Sequence, residues 1–268
     1  MTEGATVGAL QIVTDPAHGG RWTSLSAGGR EWLWRRDGVG RERVSPGDAF
    51  VDAGGLEECV PTVRGTPDHG EAWSRAWTSD GAGTESVRCE RFSLHRTVGE
   101  GGRVDYVLSA DPGFRFVWAA HALLDLSSRA VVQLPEGADT RLYPTANGPW
   151  MRGSWPTPAG TRLDRFGPDD GTAVGAVVDA ARACVHDDED CLSFALEVFG
   201  GAAQPVSIAL WRNLGGFPDT GPYRSTGVEP MLGRVFDLAE AGPGDAAEVP
   251  ASGEVRWRLT VTAACNCP

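Results

Sequence analysis

Histidine is the side chain best suited to moving protons near neutral pH, and five histidines occur in this chain. His121 ends a stretch, residues 114–121, in which aromatic side chains alternate with small or polar ones. In a strand, that alternation places Phe116 and Trp118 on one face and His121 on the other, together with Arg115. The pattern predicts an imidazole on a ligand-facing sheet surface. The alternative is a hydrogen-bonded structural histidine.

A second histidine, His69, lies among polar, charged and aromatic residues in a loop-like stretch, residues 67–77. Loops on a rigid scaffold often carry function. Tryptophan rings such as that of Trp73 fit the C–H faces of sugars, because an apolar surface can have polar groups at its rim. The stretch therefore favours a sugar-binding loop. The alternative is a turn histidine capped by Asp68.

A glutamate, Glu229, directly precedes Pro230. The residue before a proline is biased towards extended backbone, so Glu229 is expected at a strand end or in a loop. With two histidines, a carboxylate there could perform general acid–base chemistry. The alternative is a solvated surface acid.

Several other chemistries lack the residues they need. All 24 basic side chains are arginines, which excludes Schiff-base, phosphate-loop and serine–lysine chemistry. The chain has no GxSxG elbow and no dinucleotide fingerprint. Two cysteine-containing clusters, residues 184–191 and residues 265–267, lack the paired knuckles of zinc sites, so we predict neither a metal nor a cofactor.

Strand signals dominate the elements that must position these residues. Residues 192–199 and 255–262 alternate apolar and polar side chains, and only residues 230–241 show some helical periodicity. Turn residues are frequent, and we find neither an internal repeat nor a linker. We predict one all-β domain over residues 1–268, a large antiparallel β-sandwich. Further predicted strands are residues 8–14, 30–35, 86–96, 103–110, 114–124, 173–178 and 205–212.

The overall composition narrows the possible partners. A net charge of −12 argues against binding nucleic acid or anionic lipid through a basic surface. The hydrophobic fraction of 41% can form a substantial core. The sequence shows no signal-peptide pattern and no apolar run long enough to span a membrane, so we expect a cytoplasmic protein with reduced cysteines.

Five segments in order resemble the aldose 1-epimerase (galactose mutarotase-like) superfamily. Each segment is short, but together their order and spacing span most of the chain. The segments are an opening hairpin in residues 19–34, "GGLEECVPT" in residues 54–62, "DHG" in residues 68–70, the His121 strand in residues 118–126, and "WRN" to "GVEP" in residues 211–230.

The resemblance implies a β-supersandwich whose concave face holds a sugar ring. It also implies a cofactor-independent isomerase that interconverts the α and β anomers of a hexose or related sugar. The family's catalytic glutamate falls on Glu229 and its two histidines on His121 and His69. Glu229 would be the base, His121 the acid at the ring oxygen, and His69 the residue that orients the sugar.

The resemblance also implies a set of substrate contacts. Four arginines could match the family's early arginine, namely Arg30, Arg35, Arg36 and Arg75, and Arg75 is favoured because it shares the His69 segment. The aspartate with which the family fixes sugar hydroxyls has no clear counterpart, and Asp219 fits poorly. The predicted contacts are Arg75, Trp73, Glu58, Trp211 and Arg212.

Two other functions stay open. The same concave face would serve a non-catalytic carbohydrate-binding or sensory module. A mutarotase for a phosphorylated hexose could use Arg75, Arg212 or Arg224 on the phosphate. In each case we expect a small-molecule sugar as partner and a monomer or homodimer.

Overall fold

The computed structural model describes residues 10–145, 148–201 and 203–264. Within these ranges the chain forms twenty strands, five short 3-10 helices and no α-helix. The all-β fold class is confirmed. The strands are β1 (Gln11–Asp15), β2 (Arg21–Ala27), β3 (Arg30–Glu31), β4 (Leu56–Cys59), β5 (Thr78–Ser79), β6 (Thr84–Arg88), β7 (Phe92–Val98), β8 (Arg103–Ala110), β9 (Arg115–Phe116), β10 (Trp118–Leu124), β11 (Val131–Gln133), β12 (Asp139–Tyr143), β13 (Met151–Ser154), β14 (Ala173–Val178), β15 (Arg182–Asp187), β16 (Asp190–Phe199), β17 (Val206–Phe217), β18 (Tyr223–Leu232), β19 (Ala247–Glu248) and β20 (Glu254–Thr262).

The strands pair antiparallel in two large sheets. The first sheet has ten strands, nine of them in the order β1-β2-β4-β10-β18-β17-β14-β12-β13, with β3 paired to β2. The second sheet has eight strands in the order β11-β15-β16-β20-β8-β7-β6-β5, and β9 pairs with β19 separately. The 3-10 helices are Pro16–His18, Arg41–Arg43, Glu100–Gly102, Pro158–Gly160 and Leu238–Glu240.

The core lies between the two large sheets because each contributes an apolar face. On β20 every second residue is buried, including Trp257 and Leu259. Trp118 and Ala120 of β10 meet these side chains from the first sheet, within one continuous cluster. Burying a large apolar side chain contributes about 1.5–3 kcal/mol, so this shared face stabilises the sandwich.

The other face of the first sheet is also covered near its centre. Ala119 and Met231 lie there, in a second apolar cluster with Val235. Phe236 and Leu238, from the segment after β18, pack against this cluster. The central strand β10 is therefore buried on both faces, and His121 is only 8% exposed.

The weak helical periodicity of residues 230–241 does not correspond to a helix. Pro230 to Leu232 end β18, and only Leu238–Glu240 forms a 3-10 turn. The apolar spacing arises because this segment lays Val235 and Phe236 onto the sheet, and an irregular covering loop can imitate a 3.6-residue period. The predicted strand over residues 86–96 is instead two strands, β6 and β7, joined by a tight turn.

One cysteine does not have the reduced thiol that the sequence analysis predicts. Cys59, Cys89 and Cys184 are buried free thiols, whereas Cys191 is disulfide-bonded. The motif at residues 265–267 lies outside the described residues. Over the part of the chain that the structure describes, no group of three or more potential ligands is placed to hold a metal. None of the helices in that part has the length and apolar character needed to cross a bilayer.

Candidate active site

Strand register brings His121 opposite Glu229. β10 lies between β4 and β18, and its pairing with β18 sets Leu123 against Gly227, which places His121 across from Glu229. On the other side, His121 is paired directly with Glu57 of β4. A row of three ionisable side chains therefore crosses three neighbouring strands, on the sheet face that looks away from the core.

The imidazole and the carboxylate are in contact. Nδ1 of His121 lies 3.0 Å from Oε1 of Glu229, and the two side chains are 11% and 2% exposed. His121 Nδ1 makes no hydrogen bond of standard geometry, and Glu229 Oε2 has no hydrogen-bond partner. The contact is thus an ion pair with spare hydrogen-bonding capacity. A buried polar atom without a hydrogen bond lowers the stability of the fold, and a ligand hydroxyl could supply the missing hydrogen bonds.

The charge on His121 is set by its neighbours. Burial is the largest single effect and disfavours the charged imidazole, but the negative charge and close contact of Glu229, with smaller contributions from Asp52 and Glu57, together outweigh it. Together they raise the pKa of His121 to about 8. At neutral pH the ring is therefore mostly protonated and can donate a proton.

The second histidine, His69, reaches the same place from a loop. Its ring centroid lies 5.2 Å from that of His121, and it stacks on Phe50 at 3.6 Å with an interplanar angle of 11°. Its Nδ1 is 2.8 Å from Oδ1 of Asp68. The backbone of His69 has a φ of 57°, a left-handed conformation that is uncommon for residues other than glycine. Strain of this kind persists where surrounding contacts hold it, often at functional sites.

The two imidazoles differ in protonation. Burial lowers the pKa of His69, and the charge of His121 lowers it further, while Asp68 opposes both effects. His69 is therefore neutral at a pH where His121 is charged. A neutral and a charged imidazole beside one carboxylate suit acid–base catalysis, because different environments separate the roles of similar groups.

A buried arginine links the strand row to the His69 loop. Arg41 donates from Nε and Nη2 to the two carboxylate oxygens of Glu57, at 2.9 and 2.8 Å. Its Nη2 also donates to the backbone carbonyls of His18 and Trp73. Trp73 in turn donates from Nε1 to the carbonyl of Asp68. The Nη1 atom of Arg41 is buried without a hydrogen-bond partner.

Sequence reasoning missed both members of this pair. Arg41 begins a short 3-10 helix in a stretch rich in arginine and glycine, where nothing in the sequence distinguishes it from Arg43. Glu57 stands next to the predicted contact Glu58, and only the register of β4 against β10 shows which of the two shares the face of His121.

An aromatic group borders the site on the β17 side. Trp211 is paired with Gly227, so it lies on the face of Glu229, one position further along the strands. It is half-buried and donates from Nε1 to the Ser225 hydroxyl. The ring of Phe217 meets it edge-on with centroids 5.8 Å apart. Trp211, one of the contacts predicted from the sequence, therefore lies near Glu229.

The residues that precede β4 contribute a further carboxylate. Asp52 accepts a hydrogen bond from the hydroxyl of Tyr223 at 2.5 Å. The Tyr223 ring stacks on Trp34, and the guanidinium of Arg36 lies 4.0 Å from its centroid. Asp52 also acts on the charge of His121, so it lies near the site, and sequence analysis did not single it out.

Three predicted contacts are not brought to the His121–Glu229 pair. Glu58 lies in the core between the sheets, paired with Arg96. Arg212 faces away from Glu229, because it pairs with Thr226 on the opposite face, and it donates to carbonyls of residues 165 and 166. Arg75 pairs with Glu71.

Two further predicted residues fare differently. Trp73 does belong to the site region, but it is buried edge-on against Phe50. Arg224, the other arginine considered for a phosphate, pairs with Asp169.

No protein-family model and no curated protein sequence matches this chain. Solved structures do match in fold. A protein from Synechocystis sp. PCC 6803 has a TM-score of 0.65 at 14% identity, over 98% of this chain and 97% of that one. A galactose mutarotase related enzyme from Lactobacillus acidophilus has a TM-score of 0.60 at 10% identity, over 97% and 96% of the two chains.

A third solved structure is that of galactose 1-epimerase from Lactobacillus acidophilus NCFM. Its TM-score is 0.54 at 12% identity, over 98% of this chain and 93% of that one. All three similarities run through nearly the whole length of both chains. The resemblance seen in the sequence is therefore confirmed at the level of the fold: the chain has the galactose mutarotase-like β-sandwich.

Proposed function

We propose that this protein is an aldose 1-epimerase, an isomerase that interconverts the α and β anomers of a hexose or related sugar without a cofactor. The observation that carries the proposal is the buried pair of His121 and Glu229, 3.0 Å apart, with the ring of His69 5.2 Å from that of His121. A protonated acid and a carboxylate base side by side are what ring opening needs.

Glu229 and His121 can take up and supply the protons that the proposed reaction transfers. The carboxylate of Glu229 takes the proton of the anomeric hydroxyl, while the imidazolium of His121 gives a proton to the ring oxygen. The bond between C1 and the ring oxygen breaks, and an aldehyde forms at C1. Rotation about C1–C2 presents the other face, and the reverse transfers close the ring and restore both groups. Each positioned acid or base contributes about 10²–10⁴-fold to the rate.

Neighbouring residues would hold the sugar. The neutral ring of His69 offers a hydrogen bond to a hydroxyl. The carboxylate of Asp52 could accept one, and the ring of Trp211 could pack on a C–H face of the sugar. We also propose that residues 1–268 act as a single domain, since one apolar cluster includes residues of both large sheets.

The test follows the optical rotation of freshly dissolved α-D-glucose and α-D-galactose with the purified protein. Wild type should speed mutarotation, and Glu229→Gln and His121→Asn should each lower kcat by about 10²-fold or more. Matched controls are Glu197→Gln and His95→Asn, because both residues are exposed on the second sheet, and these variants should keep full activity.

The same assay separates the alternatives. Undiminished activity in Glu229→Gln and His121→Asn would refute the catalytic roles of these two residues. Saturable sugar binding without any rate enhancement would indicate a non-catalytic carbohydrate-binding protein. Competition between a hexose and its 6-phosphate would reveal a preference for a phosphorylated substrate, for which Arg212 and Arg224 are not placed beside Glu229.

A further inference from the structure

A polar groove lies on the same sheet face as His121 and Glu229 but nearer the edge strand. Its floor includes Val177, which follows Glu229 and Ala209 in one register row across β18, β17 and β14. Adjacent strands are about 4.8 Å apart, so this floor begins about 10 Å from Glu229. The groove has a volume of about 240 Å³, and the apolar cluster around Phe236 and Tyr143 lies at its side.

Three arginine–aspartate pairs form the walls of this groove, and together they carry no net charge. Arg141 lies 2.6 Å from Asp245, Arg152 lies 2.6 Å from Asp139, and Arg234 lies 3.0 Å from Asp179. A charged ligand would meet repulsion from half of these groups. A hydroxyl, in contrast, can donate to a carboxylate and accept from the neighbouring guanidinium at the same time. The walls thus favour a neutral ligand rich in hydroxyls.

An exposed aromatic ring lies next to one of the arginines that line the groove. The ring of Trp150 lies beside Arg141, whose guanidinium carbon is 4.6 Å from the ring centroid, and the ring is 37% exposed. An exposed indole next to hydroxyl-binding groups suits the apolar C–H face of a pyranose.

A second groove continues the first. Its volume is about 740 Å³, and it shares Arg234 and Pro243 with the smaller groove. Pro205 and Pro250 give it apolar walls, and Arg115 and Glu248 add one charge of each sign. Ligand sites usually measure about 300–1,000 Å³, so the joined grooves exceed what one sugar ring needs.

We propose that these joined grooves bind a neutral oligosaccharide, separately from the His121–Glu229 site. The ligand lies between the three arginine–aspartate pairs, packs one ring near Trp150 and extends past Pro243. The binding is non-covalent and leaves the sugar chain intact. It does not depend on the proposed epimerase activity, because no groove-lining residue is a member of the His121–Glu229–His69 set.

The experiment titrates the full chain with maltohexaose, cellohexaose and xylohexaose, with glucose and sodium sulfate as comparison probes, by isothermal titration calorimetry. We expect at least one hexasaccharide to bind. Trp150→Ala should weaken that binding about tenfold, the equivalent of 1.4 kcal/mol and the scale of one aromatic contact. Arg152→Ala should weaken it as well, and since Arg152 is 75% exposed the fold should tolerate the change.

Matched variants make the result decisive. Arg256→Ala removes an exposed ion pair on the second sheet and should leave the binding unchanged, as should Glu229→Gln. No hexasaccharide binding at about 10 mM would overturn the proposal. So would binding that survives both Trp150→Ala and Arg152→Ala, binding that is lost in Glu229→Gln, or binding of sulfate alone. Failure of mutarotation in the optical assay would leave this result unaffected.

Discussion

Two carboxylates and one imidazole occupy a single row at the centre of the site. Glu229 and Glu57 flank His121 on neighbouring strands, but they are not equivalent. Glu57 is held by two charged hydrogen bonds from Arg41, whereas Glu229 keeps an oxygen without a partner. The neutralised carboxylate is suited to positioning, and the unsatisfied one is suited to accept a proton.

The first prediction concerns the titration of His121. Its imidazole resonances should give a pKa of about 8 in wild type. In Glu229→Gln the pKa should fall, because burial lowers it and the main opposing charge is gone. NMR titration with side-chain-labelled histidine measures both values. A pKa that stays the same in the variant would show that Glu229 does not set the charge of His121.

The same shift makes stability depend on pH. The folded-state pKa of His121 is raised, so the stabilisation is fully present below about pH 6.5 and is lost as the pH rises through about 8. The loss amounts to about 2 kcal/mol. The difference in free energy of unfolding between wild type and Glu229→Gln should therefore change by about this amount between pH about 6 and pH about 9, measured by urea unfolding.

The second prediction concerns His69, whose backbone is left-handed. Asparagine tolerates that conformation, so His69→Asn removes the ring stacked on Phe50 with little backbone strain. We expect a fold as stable as wild type and a kcat lower by about tenfold, because an orienting group is lost but acid and base remain. His69→Val should be less stable than His69→Asn, since a β-branched residue is strained at positive φ. Equal melting temperatures of the two variants would contradict this reasoning.

At the scale of the element, β18 is built to carry Glu229. Alternation puts Gly227 and Glu229 on one face, and Gly227 lacks the side chain that would otherwise meet the carboxylate. A Cβ at Gly227 would lie 2.5 Å from Oε1 of Glu229 and 3.2 Å from Cβ of Trp211. The glycine therefore makes space for the proposed base.

The third prediction is that Gly227→Ala impairs catalysis with little effect on folding. Its φ lies outside the left-handed region, so alanine fits the backbone, and the added methyl group must displace the Glu229 carboxylate. A misplacement of about 1 Å can cost about 10²-fold in rate, and we expect kcat to fall by at least tenfold. Gly99→Ala is the matched control, because its Cβ would meet nothing closer than 3.4 Å. Full activity in Gly227→Ala would show that the carboxylate can relocate.

Element prediction succeeded both where one face of a strand is polar, as in β8, and where the whole strand is apolar, as in β14. The bounds of β8 and β14 agree with the predicted strands at residues 103–110 and 173–178, and β20 differs by one residue. Prediction failed for the segment after β18, where tertiary packing of Phe236 rather than local periodicity decides the conformation. The chain's local pattern cannot reveal which surface will be covered from outside.

Only part of the site could be predicted, because local sequence patterns do not reveal which segments meet in space. His121, His69 and Glu229 were singled out by residue type and local pattern, and the family resemblance implied their roles, whereas Arg41 and Asp52 lie in segments without periodicity. Register between β4 and β10 decides that Glu57, and not Glu58, shares the face of His121. A shift of one residue exchanges the two faces, and one strand's sequence does not determine its register against another.

At the scale of the whole molecule, a buried ionic network connects the two large sheets. Arg96 of β7 is fully buried and donates to Glu85 of β6 and, across the core, to Glu58 of β4. Tyr106 and Trp118 also donate to Glu58, at 2.9 and 2.7 Å. Every oxygen of Glu58 is thus occupied within the core, so this network fixes one sheet against the other and does not reach the site.

The last prediction separates this structural carboxylate from its neighbour. Glu58→Gln keeps the shape but leaves Arg96 with half of its charge partners, and loss of a partner in a buried pair typically costs about 3–5 kcal/mol. We expect urea unfolding to show a loss of about 3 kcal/mol, while kcat and KM of the folded enzyme stay at wild-type values. Glu57→Gln, one residue away on the other face, should lower kcat/KM because Arg41 loses its charged partner. A Glu58→Gln variant with normal stability and raised KM would mean that Glu58 contacts the sugar, and the assignment of the two faces would be wrong.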